Sequence, residues 1–598
     1  MRAKRFAGTV AAVALAAAIP ALAQDAAPPA SPPPAAAPAP APTPTPTTPT
    51  QPRPSPEPSA TPRGGDSVGE SSTGLVDLAA EPVQEVKPPV EYPDYARRDP
   101  RIAGRLDPID LGLGPDPWGS ASGAFLASLM RQMDTPIASR WAHIALRNAL
   151  LARVAAPRNI DPVDWTAQRA FILLRMGEAD AARTLVSAVD TDKYTPQMLQ
   201  VAVQSALANA DPAALCPLQA GIEEAEPNIV TLVDAMCDAL AGEPESASEK
   251  IDRARRRGRV QGIDLELAEK VVGAGSNTNR AATIQWDPVD RLDSWRYGLA
   301  TATGMTFPDR LIDDAPLQLR AWQAAAPLLA PTDRLKSAEI ATGLGVFSGQ
   351  SLSDLHSLIY DATGPDELPQ TQAWQVRMAF AGKDLDTRLD AMRRLWRTSD
   401  DYLQQEASRA LLGRAATLIP PSADRQSDAA NLIASMLAAG FDRQAARWAN
   451  AVSQMDDENA DPAWAMLALG APDGRRVDLS VRRINAFIDR DNSEGKKRSA
   501  MLVAGLAGLG RIDADTAGQL SNQNGLRLGN RSIWTRMIDR AASLGQKGTV
   551  LVMSATGLQA ETFEEIPPSH QYHAILALKR SGQDFTARMM AAEALARI

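Results

Sequence analysis

From about residue 120 to the end, apolar and polar positions follow one another with the period of an amphipathic helix. MLAAGFDRQAARWANAV around Gly440 and LALKRSGQDFTARMMAAEAL around Gly582 repeat one pattern: an alanine-rich apolar face, a glycine, and a second such face. Gly440, Gly474, Gly510, Gly545 and Gly582 recur at intervals of 34, 36, 35 and 37 residues. That spacing marks stacked helical hairpins, each covering the apolar face its neighbour cannot bury alone. No sustained two-residue alternation of β-branched and polar residues signals a strand. The expected fold is all-α: a superhelical array of antiparallel hairpins (an α-solenoid) behind a signal peptide and a disordered proline-rich arm.

Helix starts are legible. Asp161-Pro162, Asp211-Pro212, Asp287-Pro288 and Asp461-Pro462 each offer a carboxylate as N-cap and a proline at the first helical position. Thr135-Pro136 and Thr195-Pro196 offer a hydroxyl instead. The caps and turns predict helices over 163–176, 178–190, 196–209, 212–224, 227–240 and 245–257, with turns near Gly177, Asn209 and Gly242.

Five segments follow. Residues 1–23 read as a signal peptide: MRAKR carries three positive charges, an alanine-dominated apolar stretch runs to Ile19, and Ala21-Leu22-Ala23 fits the cleavage rule. The alternative is retention as an anchor, although Pro20 interrupts the stretch short of the ~20 residues a span needs. Residues 24–99 form a disordered proline-rich linker; 16 of the 35 residues from Pro28 to Pro62 are proline, too many for a helix or a core. Extended, that tract reaches on the order of 100 Å. The fragments around Leu106, Ile109, Leu111, Leu113 and Trp118 are expected to lie along the body as an arm. Residues 100–275 are N-terminal helical repeats, 276–420 an irregular helical middle, and 421–598 C-terminal helical repeats.

Charge narrows the partners. The chain carries a formal −9, and loss of the signal peptide would bring it to −12. An acidic chain lacks the dominant basic face that nucleic acid or an anionic membrane requires. No segment beyond the signal peptide is apolar enough to span a bilayer.

Hairpins of this length, with small residues at helix crossings and glycine at turns, resemble the tetratricopeptide-repeat family, most closely in LLRMGEADAARTLVSAV at 173–189, with Gly177 and Ala181 at the small positions. The family's Trp-Leu-Gly-Tyr signature and late proline do not recur in register, so the resemblance is to a degenerate member over some 300 residues. It implies a groove for peptides or proteins. The helical body of bacterial soluble lytic transglycosylases is similar in architecture, but no lysozyme-like domain is in view here.

Chemistry is sparse. Cys216 and Cys237 fall on consecutive predicted helices, each about ten residues from the turn at Glu226-Pro227, so antiparallel packing sets them side by side. In an oxidising compartment that predicts a disulfide; otherwise they are two buried thiols. Arg253, Arg255, Arg256, Arg257 and Arg259 form a basic run, which either complements a helix dipole or grips an acidic partner. Trp286, Trp295 and Trp322 in the middle block are the aromatic partner-binding candidates. His570 and His573 share a helix face but lack further metal ligands. Gly343-x-Gly345 with Gly349, and Gly505-x-x-Gly508-x-Gly510, lack the strand–helix context of phosphate loops. Asp313-Asp314 and Asp456-Asp457 sit in loop-like surroundings. No catalytic, metal or cofactor site is expected.

The expectation is a periplasmic or secreted α-solenoid of a Gram-negative bacterium, non-enzymatic, binding a protein or peptidoglycan-associated partner. The alternatives are a peptidoglycan-acting enzyme with a superhelical body, or a spacer without specific ligand. Unfolded without reductant, the chain should expose no reactive thiol; two thiols on titration would end the Cys216–Cys237 pairing.

Overall fold

Side-chain caps open several helices where the sequence places them. The Asp161 carboxylate accepts from the Val163 and Asp164 N–H groups ahead of Pro162, and Thr195 Oγ1 accepts from Met198 ahead of Pro196. Asp211 does the same for a 3-10 helix, Pro212–Leu218. Each oxygen satisfies a donor that has no carbonyl one turn back. The computed structural model describes residues 93–134, 136–225, 229–258, 260–276 and 283–598. The signal peptide, linker residues 24–92, Thr135 and Arg259 lie outside the described residues.

Three expected starts fall elsewhere. Asp287-Pro288 lies in a turn, and the next helix opens at Ser294 on an Asp293 cap. No helix begins at Pro136; Ser139 caps the one that starts at Arg140. Pro462 lies inside a helix capped by Asp456. There the ring forfeits one bond, to the Glu458 carbonyl, and both residues are exposed, so the helix runs through.

The described residues form 28 α-helices and no strand. In the N-terminal block these are α1 Gly123–Arg131, α2 Arg140–Leu151, α3 Pro162–Met176, α4 Ala179–Val186, α5 Pro196–Ala208, α6 Gln219–Ala225, α7 Val230–Leu240, α8 Pro244–Arg257 and α9 Ile263–Gly275. The middle holds α10 Ser294–Ala302, α11 Asp309–Asp313, α12 Leu317–Ala324, α13 Pro331–Leu344, α14 Gly349–Ala362, α15 Gln372–Ala381, α16 Leu385–Trp396 and α17 Tyr402–Ala416. The C-terminal block holds α18 Gln426–Ala438, α19 Asp442–Ala446, α20 Ala449–Val452, α21 Asp457–Gly470, α22 Val481–Arg490 and α23 Lys497–Gly508. It ends with α24 Ala514–Asn524, α25 Ile533–Ser543, α26 Lys547–Gly557, α27 Pro568–Arg580 and α28 Asp584–Ala596.

Glycine turns recur as read. Gly177, Gly242, Gly440, Gly510, Gly545 and Gly582 all stand at φ between 67° and 100°, where a side chain is disfavoured. Gly474 is the exception: it opens a 3-10 turn, Gly474–Arg476, and is not left-handed.

From Arg98 onward the described chain is one compact unit; Pro93–Arg97, with a 3-10 turn over Asp94–Ala96, belongs to a second. Within the larger unit neighbouring helices pair as in a repeat array: α3 on α4, α7 on α8, α17 on α18, α25 on α26, α27 on α28. A linear array would leave its ends apart. Here α1 packs on α26, and α2 packs on α26, α28 and α13.

The start of α2 makes that closure. The Glu593 carboxylate on α28 accepts from Ser139 Oγ at 2.6 Å, the Arg140 N–H at 2.7 Å and Arg597 Nη1 at 2.8 Å. Arg140 then donates from Nε to the Thr342 carbonyl of α13 at 3.0 Å and from Nη1 to the Ala438 carbonyl of α18 at 2.7 Å.

The residues ahead of α1 strap both ends. Leu113 and Trp118 are buried, and Trp118 meets Trp165 edge-on at 5.1 Å. The Leu151 carbonyl accepts from the Arg105 and Leu106 N–H groups, and the Pro117 carbonyl accepts from Gly548 at 2.8 Å. Ile109, expected on the body, is 64% exposed; it sits at the outer edge of a turn.

Burial, reinforced by the Glu406 carboxylate, holds Glu593 above the ordinary glutamate value of 4.5 despite its donors. A raised carboxyl favours the folded state below the unfolded value and loses that advantage as pH rises through the folded one. The urea midpoint of wild type should therefore fall relative to that of Glu593→Gln as pH rises from below 4.5 toward neutrality. A wild type that gains on the variant as pH rises would contradict it. Glu593→Ala, which strands several buried donors, should cost about 3–5 kcal/mol at low pH and less toward neutrality.

Candidate functional site

The cysteines are joined. Cys216 on the 3-10 helix and Cys237 on α7 form a disulfide, S–S 2.08 Å and Cα–Cα 5.5 Å, which ties those two elements together.

The basic run caps α8. Arg253 pairs with Glu249 at 2.6 Å, and Arg255 pairs with Glu269 on α9 and with Asp252 at 3.6 Å. Arg256 and Arg257 are exposed in the last turn and make no ion pair among the described residues. Cations there complement the negative end of the helix dipole.

The tryptophans of the middle block are mainly core. Trp322 is 1% exposed, with its ring 5.1 Å from Tyr297, so it offers no surface to a partner. Tyr297 stacks on Phe307 at 6.0 Å, and Phe307 meets Trp286 edge-on at 5.3 Å. Trp295 Nε1 donates to the Asp264 carbonyl at 3.1 Å. Trp286 and Trp295 keep only partial exposure. Short helices separated by prolines leave gaps that alanine cannot fill, and large rings close them.

Histidines and glycines are absorbed into packing. His570 Nδ1 lies 3.0 Å from the Gly557 carbonyl with its ring on Trp534, and His573 Nδ1 lies 2.9 Å from Asp539 Oδ1. A Cβ on Gly343 would stand 2.2 Å from the Leu403 carbonyl oxygen, and one on Gly349 2.2 Å from that of Ala410. These glycines exist for close helix crossing.

A recess that the sequence did not announce opens at α21. It encloses about 700 Å³ between α17, α18, α21, α22 and the end of α28. Ala434, Ala465, Met466, Phe487 and Leu595 give it an apolar floor. Phe487 is fixed because α22 buries Ile484, Phe487 and Ile488 on one face, with the Phe487 ring 5.7 Å from Trp464.

The polar wall is a lattice. Asp461 accepts from Arg483 Nη2 at 2.7 Å and from Arg490 Nε and Nη2 at 2.7 and 2.9 Å. Arg490 Nη1 also reaches Asp457 at 3.0 Å, and the Arg483 guanidinium lies 4.0 Å over Trp464. Although burial pushes Asp491 up, hydroxyl and N–H donors from Ser499 and Ser493 hold it below the ordinary aspartate range. Arg409 is tied to Glu406 at 3.3 Å. Two carboxylates are left facing outward at the rim: Asp457, 71% exposed, and Glu458, exposed and without a partner among the described residues. The arrangement can hold an apolar group on its floor and a cation at its rim. Its inner carboxylates are tied to arginines or hydroxyls, which leaves them poorly placed to move protons.

The signal for this site was faint. Asp457 and Asp461 stand i, i+4, and Arg483 and Arg490 stand i, i+7, spacings that align each pair on one helix face. Nothing in the spacing says that the two faces meet. Comparison with family models, with curated proteins and with solved structures returned no match.

Proposed function

We propose that this protein is a non-enzymatic, exported helical-repeat binding protein of the tetratricopeptide-like kind, and that the recess at α21 receives a protein segment bearing alternate apolar and basic side chains. The supporting observation is the recess itself: an apolar floor around Phe487 and Met466 beneath a rim that keeps the Asp457 and Glu458 carboxylates outward. Its volume lies in the range of small-ligand and side-chain pockets. Opposite charge at a rim governs encounter and partner choice more than affinity. The Cys216–Cys237 disulfide favours an oxidising compartment, in keeping with the expected signal peptide. Arg256 and Arg257 remain available for a second, electrostatic contact.

Fluorescence anisotropy with labelled peptides alternating Leu with Lys, or Leu with Glu, tests the reading. The Leu/Lys peptide should bind with a Kd on the order of micromolar, and Asp457→Lys with Glu458→Lys should weaken it by at least about tenfold. Equal binding of both peptides, or of neither, would overturn it. A clearing band from the purified protein on a peptidoglycan zymogram would replace it with a hydrolytic function.

A further inference from the structure

A second recess, of about 390 Å³, opens between the segment after α21 and the ends of α23 and α27. Arg475, Arg511, Lys579 and Arg588 line it, against Asp473 and Asp584. Four cations therefore face two carboxylates. Just outside, Asp442 pairs with Arg588, and Arg476 adds a cation beside Asp473, so the two offset each other.

The cations are not equally satisfied. Arg588 Nε donates to Asp584 at 2.8 Å and Nη1 to the Gly470 carbonyl at 2.5 Å; Lys579 shares Asp584. Arg475 chelates Asp473 at 3.0 and 3.2 Å. Arg511 has no carboxylate of its own: its Nη1 and Nη2 donate to the Ala468 and Ala471 carbonyls. Burial, then the neighbouring Arg588, brings it down to about 10, so it stays charged at neutral pH. A guanidinium withdrawn from water beside a second guanidinium is a position where an anion gains most. Gly474 leaves the Arg511 guanidinium uncovered: even a Cβ there would stand 3.6 Å from Cζ and Nε.

We propose that this recess binds a compact dianion of the phosphate-monoester class. The excess of two positive charges in the lining matches a dianion. Guanidinium and ammonium groups from four chain segments line the space in which its three terminal oxygens would sit, and arginine suits phosphate geometry in particular. The volume exceeds that of phosphate itself and leaves room for the group that carries it.

Isothermal titration of the full chain with inorganic phosphate, at constant ionic strength and a pH where phosphate is doubly charged, tests this. Saturable one-site binding is expected. It should weaken by at least about tenfold in Arg475→Ala with Lys579→Ala, both exposed side chains, at an unchanged melting temperature. Arg511→Met should abolish binding but also loosen the end of α21, so the exposed pair decides. Acetate at the same ionic strength should give no saturable heat. Absence of saturation with phosphate, a double variant that binds like wild type, or acetate equal to phosphate would each overturn the proposal.

Discussion

A single carboxylate receives the first turn of α2. Glu593 on the last helix accepts from Ser139 and from the Arg140 N–H, groups that no carbonyl within α2 can serve. Because α2 then lies against α26, α28 and α13, this junction joins the N-terminal helices to the C-terminal ones. Alanine-rich hairpins bury little apolar area apiece, and those at the ends of an open array would be the least stable. Bringing the ends together removes that weakness, at the cost of desolvating a carboxylate beside Glu406.

Buried arginines recur at the other ends of helices. Arg140 donates to the last carbonyl of α18, Arg169 to the Leu150 and Ala152 carbonyls at the end of α2, and Arg511 and Arg588 to those closing α21. Where short helices end inside a packed interior, carbonyls face no water, and a planar guanidinium can serve several at once. The positive charge also meets the negative end of each dipole. That device shapes the recess at the C-terminal end of α21, where Arg511 and Arg588 leave surplus charge. On the α22 side, Arg483 and Arg490 hold the Asp461 carboxylate instead.

The N-terminal hairpins were legible to within a few residues. The 196–209 expectation became Pro196–Ala208, and 245–257 became Pro244–Arg257. There the Thr195 cap opens the first helix and the left-handed Gly258 closes the second, each with an apolar face between, so local preference and packing point the same way. Asp461-Pro462 misled because a proline early in a helix forfeits only one bond. The Asp456 carboxylate, accepting from the Asn459 N–H, caps the helix a turn and a half earlier. That shift of register carried Asp461 from a helix end into a recess, where Arg483 and Arg490 hold it.

The order of polar and apolar residues was enough to determine the helical character of the described residues, all but one of the glycine turns and the side-by-side cysteines, since each depends on contacts within one or two turns or one hairpin. The burial of Trp322, the meeting of α2 with α28 and the two recesses around α21 were decided only in three dimensions. The junction and the recesses bring together residues from more than a hundred to several hundred positions apart, and a helix face that can bury itself in several neighbours does not record in its own pattern which one it will meet.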